Sequence, residues 1–157
     1  MANTNNPHSF LWEKTGQSGA VKLRRFKTVS NTTLAVGDPV VLASGYAKLA
    51  GVTSTALFGF AAEAVTGATG VRKSIALIPA MDGYIFSAQV KSSTNLTAGY
   101  LGAKGGIAGT TNGKIGFSAT ATTSVLQILG LKPGSAWGTY AQVMLAVIKS
   151  SYGGSIR

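Results

Sequence analysis

The sequence predicts an all-β protein, a single small β-barrel or β-sandwich over residues 20–157 with an extended N-terminal arm over residues 1–19. Three observations lead there. From Ala20 onward apolar residues recur with a period of two. Turn dipeptides punctuate the chain at roughly 8–12-residue spacing, as in sandwiches and barrels. The composition, with 21 glycines and many Thr and Val, disfavours long helices and suits strands.

Taken in order, Val21, Leu23 and Phe26 alternate with Lys22, Arg24, Arg25 and Lys27; the doubled arginine interrupts the alternation and predicts a β-bulge. Val40–Ala43 and Tyr46–Leu49 flank Ser44-Gly45, a two-residue hairpin turn. Leu57–Val65 reads as a strand broken at Gly59. Ser74–Met81 and Tyr84–Val90 flank Asp82-Gly83, which favours a type I′ turn because both central residues need positive φ. Asn112-Gly113 repeats that signal between 106–111 and 114–118. Val125–Leu131 leads through Lys132-Pro133-Gly134 to a last strand over 140–149. Its segment Gln142–Ile148 is apolar on both faces and should lie buried or at a subunit contact.

Residues 1–20 differ in character. A polar stretch containing Pro7 precedes the apolar triplet Phe10-Leu11-Trp12, and Thr15–Gly19 follows it. Two readings are open: an arm carrying a sticky patch, or a segment that folds back onto the domain's own core. The first ten residues lack the basic and apolar regions of a secretory signal. No apolar run reaches the ~18 residues of a membrane-spanning helix.

Composition narrows the chemistry. The 157 residues include no cysteine, one histidine (His8) and four carboxylates, Glu13, Asp38, Glu63 and Asp82. Disulfides and thiolate metal sites are excluded. Acid–base, hydrolytic and metal chemistry needs several such groups converging, and these four are scattered, with Asp38 and Asp82 in turn sequences. The expectation is therefore a protein that is not an enzyme and takes no metal or cofactor. The formal charge of +10 asks for an anionic partner, but only 11% of residues are charged, so specific nucleic-acid binding is not expected. The densest basic run is 21–27. Its lysines suit a solvated edge strand. Arg24 and Arg25 suit an interface, because a guanidinium pairs a carboxylate with two parallel hydrogen bonds. Phe10, Leu11, Trp12, Arg24 and Arg25 are accordingly the expected partner-binding residues.

The order of motifs carries a resemblance. Ala35-Val36-Gly37-Asp38-Pro39-Val40-Val41-Leu42 precedes Gly45-Tyr46-Ala47. Phe58–Ala64, Gly83–Phe86 and Leu96–Gly102 follow, then Lys114–Phe117 and the closing apolar strand. Over 33–148 this resembles the small β-barrel capsid decoration (cement) proteins of tailed bacteriophages. Tyr100, where that group more usually carries Asp, and the high positive charge are departures. The resemblance implies a non-enzymatic virion protein, made in the host cytoplasm, that binds the outer surface of the major capsid protein shell. It implies trimers or neighbouring copies on that shell, and no membrane. Phe10, Leu11 and Trp12 would then be apolar anchors, and Arg24 and Arg25 would meet acidic capsid groups. The alternatives are another β-rich virion subunit, from a tail tube or coat, and a basic nucleic-acid-binding barrel of the OB type.

Overall fold

Eleven strands account for the architecture of the computed structural model, which describes residues 3, 8–15, 20–81, 83–91 and 94–152. They are β1 Leu11–Thr15, β2 Arg24–Lys27, β3 Pro39–Ala43, β4 Tyr46–Leu49, β5 Gly59–Ala61 and β6 Ser74–Pro79. Then follow β7 Tyr84–Gln89, β8 Lys104–Ala108, β9 Gly116–Ser118, β10 Leu126–Leu131 and β11 Gln142–Val147. The one complete helical segment among the described residues is a 3-10 turn at Ala98–Tyr100. The strands form two antiparallel sheets packed as a sandwich. One has the order β1-β7-β11-β10-β8-β9, the other β2-β6-β5-β3-β4. Both curl strongly: Val90, just past β7, bridges Phe117 of β9, and Thr28, just past β2, bridges Ala47 of β4.

Period-two patterning divides the interior in two. Between the sheets lies the larger core, which holds Phe86 of β7, Ile107 of β8, Leu126 and Ile128 of β10, and Val143, Leu145 and Val147 of β11. Inside the curl of the five-stranded sheet lies a smaller one, with Leu34, Val40, Phe58, Ile75 and Leu77. β3 and β6 are the shared wall. Val40 and Leu42, Ile75 and Leu77 face the smaller core, while Val41 and Ile78 pack against the larger. An aromatic row crosses the sandwich: Phe10 to Phe60 at 5.2 Å between ring centroids, Phe60 to Phe86 at 4.0 Å. β11 is a central strand, flanked by β7 and β10, which is why it is apolar on both faces: its inner residues are buried and its outer Met144, Ala146 and Ile148 are half-buried.

The turn readings fare unequally. Ser44 and Gly45 both have positive φ, 48° and 82°, and join paired strands in the register Ala43↔Tyr46, the expected primed hairpin. Asn112-Gly113 does join a paired β8 and β9, but only Gly113 is left-handed among the two, and the loop spans 109–115. The segment around Gly83 corrects the hairpin reading. It links β6 to β7, which belong to different sheets, so it is a crossover; Asp82 lies outside the described residues. The bulge expected at Arg24-Arg25 is also absent: β2 pairs with β6 in unbroken register from Arg24↔Leu77 to Lys27↔Ser74. Arg24 shares its face with Phe26 and lies at the end of the smaller core, where Tyr152 takes its hydrogen bond. Bulges instead fall at Glu13 in β1 and Leu129 in β10. Gly59 does not break a strand but starts β5, where a side chain would meet the Ile78 carbonyl oxygen at 2.6 Å.

Candidate partner-binding surface

The N-terminal triplet divides between core and surface. Phe10 is 1% exposed and its ring packs on Phe60. This corrects both its expected place in a free arm and its role as a surface anchor: burying a phenylalanine gains about 1.5–3 kcal/mol, and the domain itself takes that gain. Residues 11–15 likewise form β1, paired with β7 from Leu11↔Ser87 to Thr15↔Tyr84. Leu11 and Trp12 remain 37% and 38% exposed. They stand on the outermost strand of the six-stranded sheet, where one row of backbone N–H and C=O groups points away from β7.

Two polar devices hold this edge. The first is at the β1 bulge, where Glu13 accepts hydrogen bonds from Ser87 Oγ and from Lys132 Nζ, the latter at 2.5 Å. Partial burial pushes the Glu13 carboxyl up. The Lys132 and Ser87 hydrogen bonds, with the charges of Lys132 and His8, outweigh that and hold it below the usual carboxylate range. Further along, Asn3 docks on the β10–β11 loop, donating to the Ala136 and Thr139 carbonyls and accepting from Ala136 N–H.

The second device is Asp38, which the sequence marks only as a turn residue. Its side chain is fully buried. Oδ1 accepts from Ser9 Oγ at 2.5 Å and Gly113 N–H at 2.8 Å; Oδ2 accepts from Ala35 N–H and Asn112 Nδ2, each at 2.8 Å. Ser9 Oγ in turn accepts from Ile115 N–H at 3.2 Å. Four donors compensate one buried carboxylate, and they come from three separate stretches of chain. Next to it, Gly37 has φ +83°, and a Cβ there would lie 2.3 Å from the Phe10 carbonyl oxygen. Glycine is needed on both counts. The backbone bond from Phe10 N–H to the Gly37 carbonyl, 3.0 Å, uses that close approach. The Gly-Asp-Pro turn is thus a latch that seats the N-terminal segment against the β8–β9 loop.

The two arginines expected at an interface have partners inside the chain. Arg25 donates to Glu63 through Nη1 at 2.9 Å and Nη2 at 3.4 Å, and Glu63 also accepts from Ala76 N–H. This solvent-exposed pair is worth at most about 1 kcal/mol, but it answers the Arg25 charge locally. Arg24 Nε donates to Tyr152 Oη at 3.2 Å, a neutral partner that leaves its charge unbalanced. Three of the four carboxylates are therefore engaged in structural bonds, Asp38 in the latch, Glu13 on Lys132 and Glu63 on Arg25. The described residues hold no group of three or more His, Cys, Asp and Glu fit for a metal ion; His8 lies with Nδ1 2.8 Å from the Ser9 carbonyl. No helix among them is long and apolar enough to cross a membrane.

No protein-family model matches the chain, and no curated protein is significantly similar to it.

Proposed function

We propose that the protein is a capsid decoration protein, a non-enzymatic virion component that binds the outer surface of a phage shell and stabilises it, as trimers or neighbouring copies. The observation that supports this best is the edge strand β1. Leu11 and Trp12 stand partly exposed on a strand held by Asp38 through the preceding Ser9 and by Glu13 at its central bulge. A rigid strand with an open edge and two large apolar side chains suits attachment to another protein, because little ordering cost remains to be met on binding. Charge is sparse over the chain as a whole, and Leu23, Val36 and Leu101 are further apolar side chains exposed away from β1. Stabilisation follows from linkage: a ligand that binds only the assembled shell favours it by RT ln(1 + [L]/Kd) per site. Copies that bridge neighbouring capsomers add effective concentration.

The test uses particles that lack the protein. Added wild-type protein is expected to bind in a fixed ratio and to raise the temperature at which the particles release their contents. Trp12→Ala should stay folded at a cost of about 1–3 kcal/mol, as its side chain lies outside the core but is more than half covered, yet occupy the particles poorly, since tryptophan is a frequent interface anchor. Full occupancy by Trp12→Ala would overturn the role of β1. Absence of wild-type binding to any expanded shell, or rings and tubes formed by the protein alone, would overturn the decoration reading.

A further inference from the structure

The five-stranded sheet closes on itself at a seam, and the seam is cationic. Thr28, one residue past β2, makes a parallel bridge to Ala47 of β4, with Val29 N–H donating to the Ala47 carbonyl at 2.9 Å. Thr28 and Ala47 are buried, and their neighbours Lys27 and Lys48 are exposed. The parallel register sets Lys27 level with Tyr46 and Lys48 level with Val29. On the Tyr46 ring lies Arg72, its guanidinium carbon 3.9 Å from the ring centroid and its Nη1 donating to Tyr46 Oη at 2.7 Å. This contact and the one hydrogen bond leave most of the guanidinium N–H groups without a partner on the ring. Among the described residues Lys27, Lys48 and Arg72 make no ion pair: the two ion pairs present are Arg25–Glu63 and Lys132–Glu13.

We infer that this seam is a docking surface for a carboxylate-rich face of a different protein; on the reading above, which this inference deepens, that is an acidic patch on the shell. Three points select the partner. Like charges brought together on three neighbouring elements, none of them in an ion pair among the described residues, cost the isolated subunit energy, which an anionic partner recovers. Among the described residues a second copy of this chain offers no free carboxylate as complement, because Asp38 is buried and Glu13 and Glu63 are already paired. Single-stranded nucleic acid needs open aromatic faces on which bases stack. Here one Tyr46 face carries Arg72, and Tyr152, beside Arg24, is packed on Phe58 with ring centroids 5.2 Å apart. The planar guanidinium of Arg72 is suited to gripping a carboxylate with two bonds, and Lys27 and Lys48 to steering it.

The experiment compares wild type with Lys27→Glu/Lys48→Glu and with Lys104→Glu/Lys114→Glu. The second pair changes net charge equally but lies on β8 and the β8–β9 loop, in the other sheet. Affinity for particles lacking the protein is expected to fall on the order of tenfold or more for the seam pair and by less than about threefold for the control. Equal losses would overturn the inference, since net charge alone would then explain them. In a second arm the isolated proteins are titrated with poly-glutamate and with a duplex oligonucleotide at physiological salt. Retention of poly-glutamate by wild type and its loss by the seam pair support the seam even if no particle is bound, a result that would sink only the decoration reading. Tighter binding to the duplex than to poly-glutamate, lost in the seam pair, would overturn the partner class. Thermal unfolding checks each variant, and Lys27→Gln/Lys48→Gln replaces the seam pair if that does not fold.

Discussion

Replacing Asp38 by Asn keeps the shape of the side chain and removes one acceptor oxygen. In the folded protein each carboxylate oxygen accepts two hydrogen bonds. Whichever way the amide is turned, its NH2 group faces two donors. In one orientation these are Ser9 Oγ–H and Gly113 N–H. In the other they are Ala35 N–H and Asn112 Nδ2, which is held by its second bond to the Thr33 carbonyl at 2.7 Å. A buried donor left without an acceptor costs about 1–3 kcal/mol, so two cost about 2–6 kcal/mol. The charge removed had itself been costly to bury, which offsets part of this. A net loss of about 3 kcal/mol is expected, roughly 10 °C in Tm for a chain of this size. The assay is urea unfolding followed by circular dichroism, with amide exchange to locate the damage. Exchange should accelerate first at Phe10, Gly113 and Ile115, the amides that the latch holds. A loss under about 1 kcal/mol, or protection at those amides equal to wild type, would refute the account of Asp38 as a four-donor hub.

Two further outcomes follow from the same edge. Gly37→Ala should destabilise by about 3 kcal/mol or more, because a left-handed alanine costs about 1–2 kcal/mol and its methyl must also displace the Phe10 carbonyl. Gly45→Ala, with φ +82° but nothing within 4 Å of the added methyl, should lose only the conformational part, and equal losses in denaturant unfolding would disprove the close approach. The depressed Glu13 carboxyl contributes stability that is fully present above the ordinary carboxylate value and disappears as pH falls through the lower folded value. The unfolding midpoint should therefore fall on acidification over that window, and Lys132→Met should flatten this part of the profile.

The all-β class, the Ser44-Gly45 hairpin and the buried last strand were legible because each rests on local chemistry: a period of two, a residue pair that tolerates positive φ, an unbroken apolar run. The segment at Gly83 shows where local chemistry stops. Turn residues reverse the chain but do not state whether the flanking strands pair with each other, and here β6 and β7 go to different sheets. Arg24-Arg25 failed for a related reason. An interrupted alternation signals a bulge only if both residues lie over the core, and Arg24 sits at the core's end. Phe10 was ambiguous until its neighbour Phe60, fifty positions along the chain, was placed beside it. Asp38 carried a visible turn signature but no trace of its hub role. Its donors Ser9, Asn112 and Gly113 are 29, 74 and 75 positions away. The cationic seam was half visible, as the basic run 21–27; its other half, Lys48 and Arg72, joins only when the sheet curls.

Those sequence separations also order events in time. β1 is made first, yet its hydrogen-bonding partner β7 begins at Tyr84, and the lysine that neutralises Glu13 lies 119 positions downstream. While a ribosome still holds the second half of the chain, Leu11 and Trp12 have no sheet to join, and Phe10 no complete core to enter. Closure of the latch waits for Gly113. The last edge to settle in a nascent molecule is therefore the first that was synthesised. A chain built in this way, dominated by distant pairings, is expected to fold slowly. It is most exposed to aggregation through this strand, and least so when synthesis is slow enough for each copy to close its own edge before meeting another.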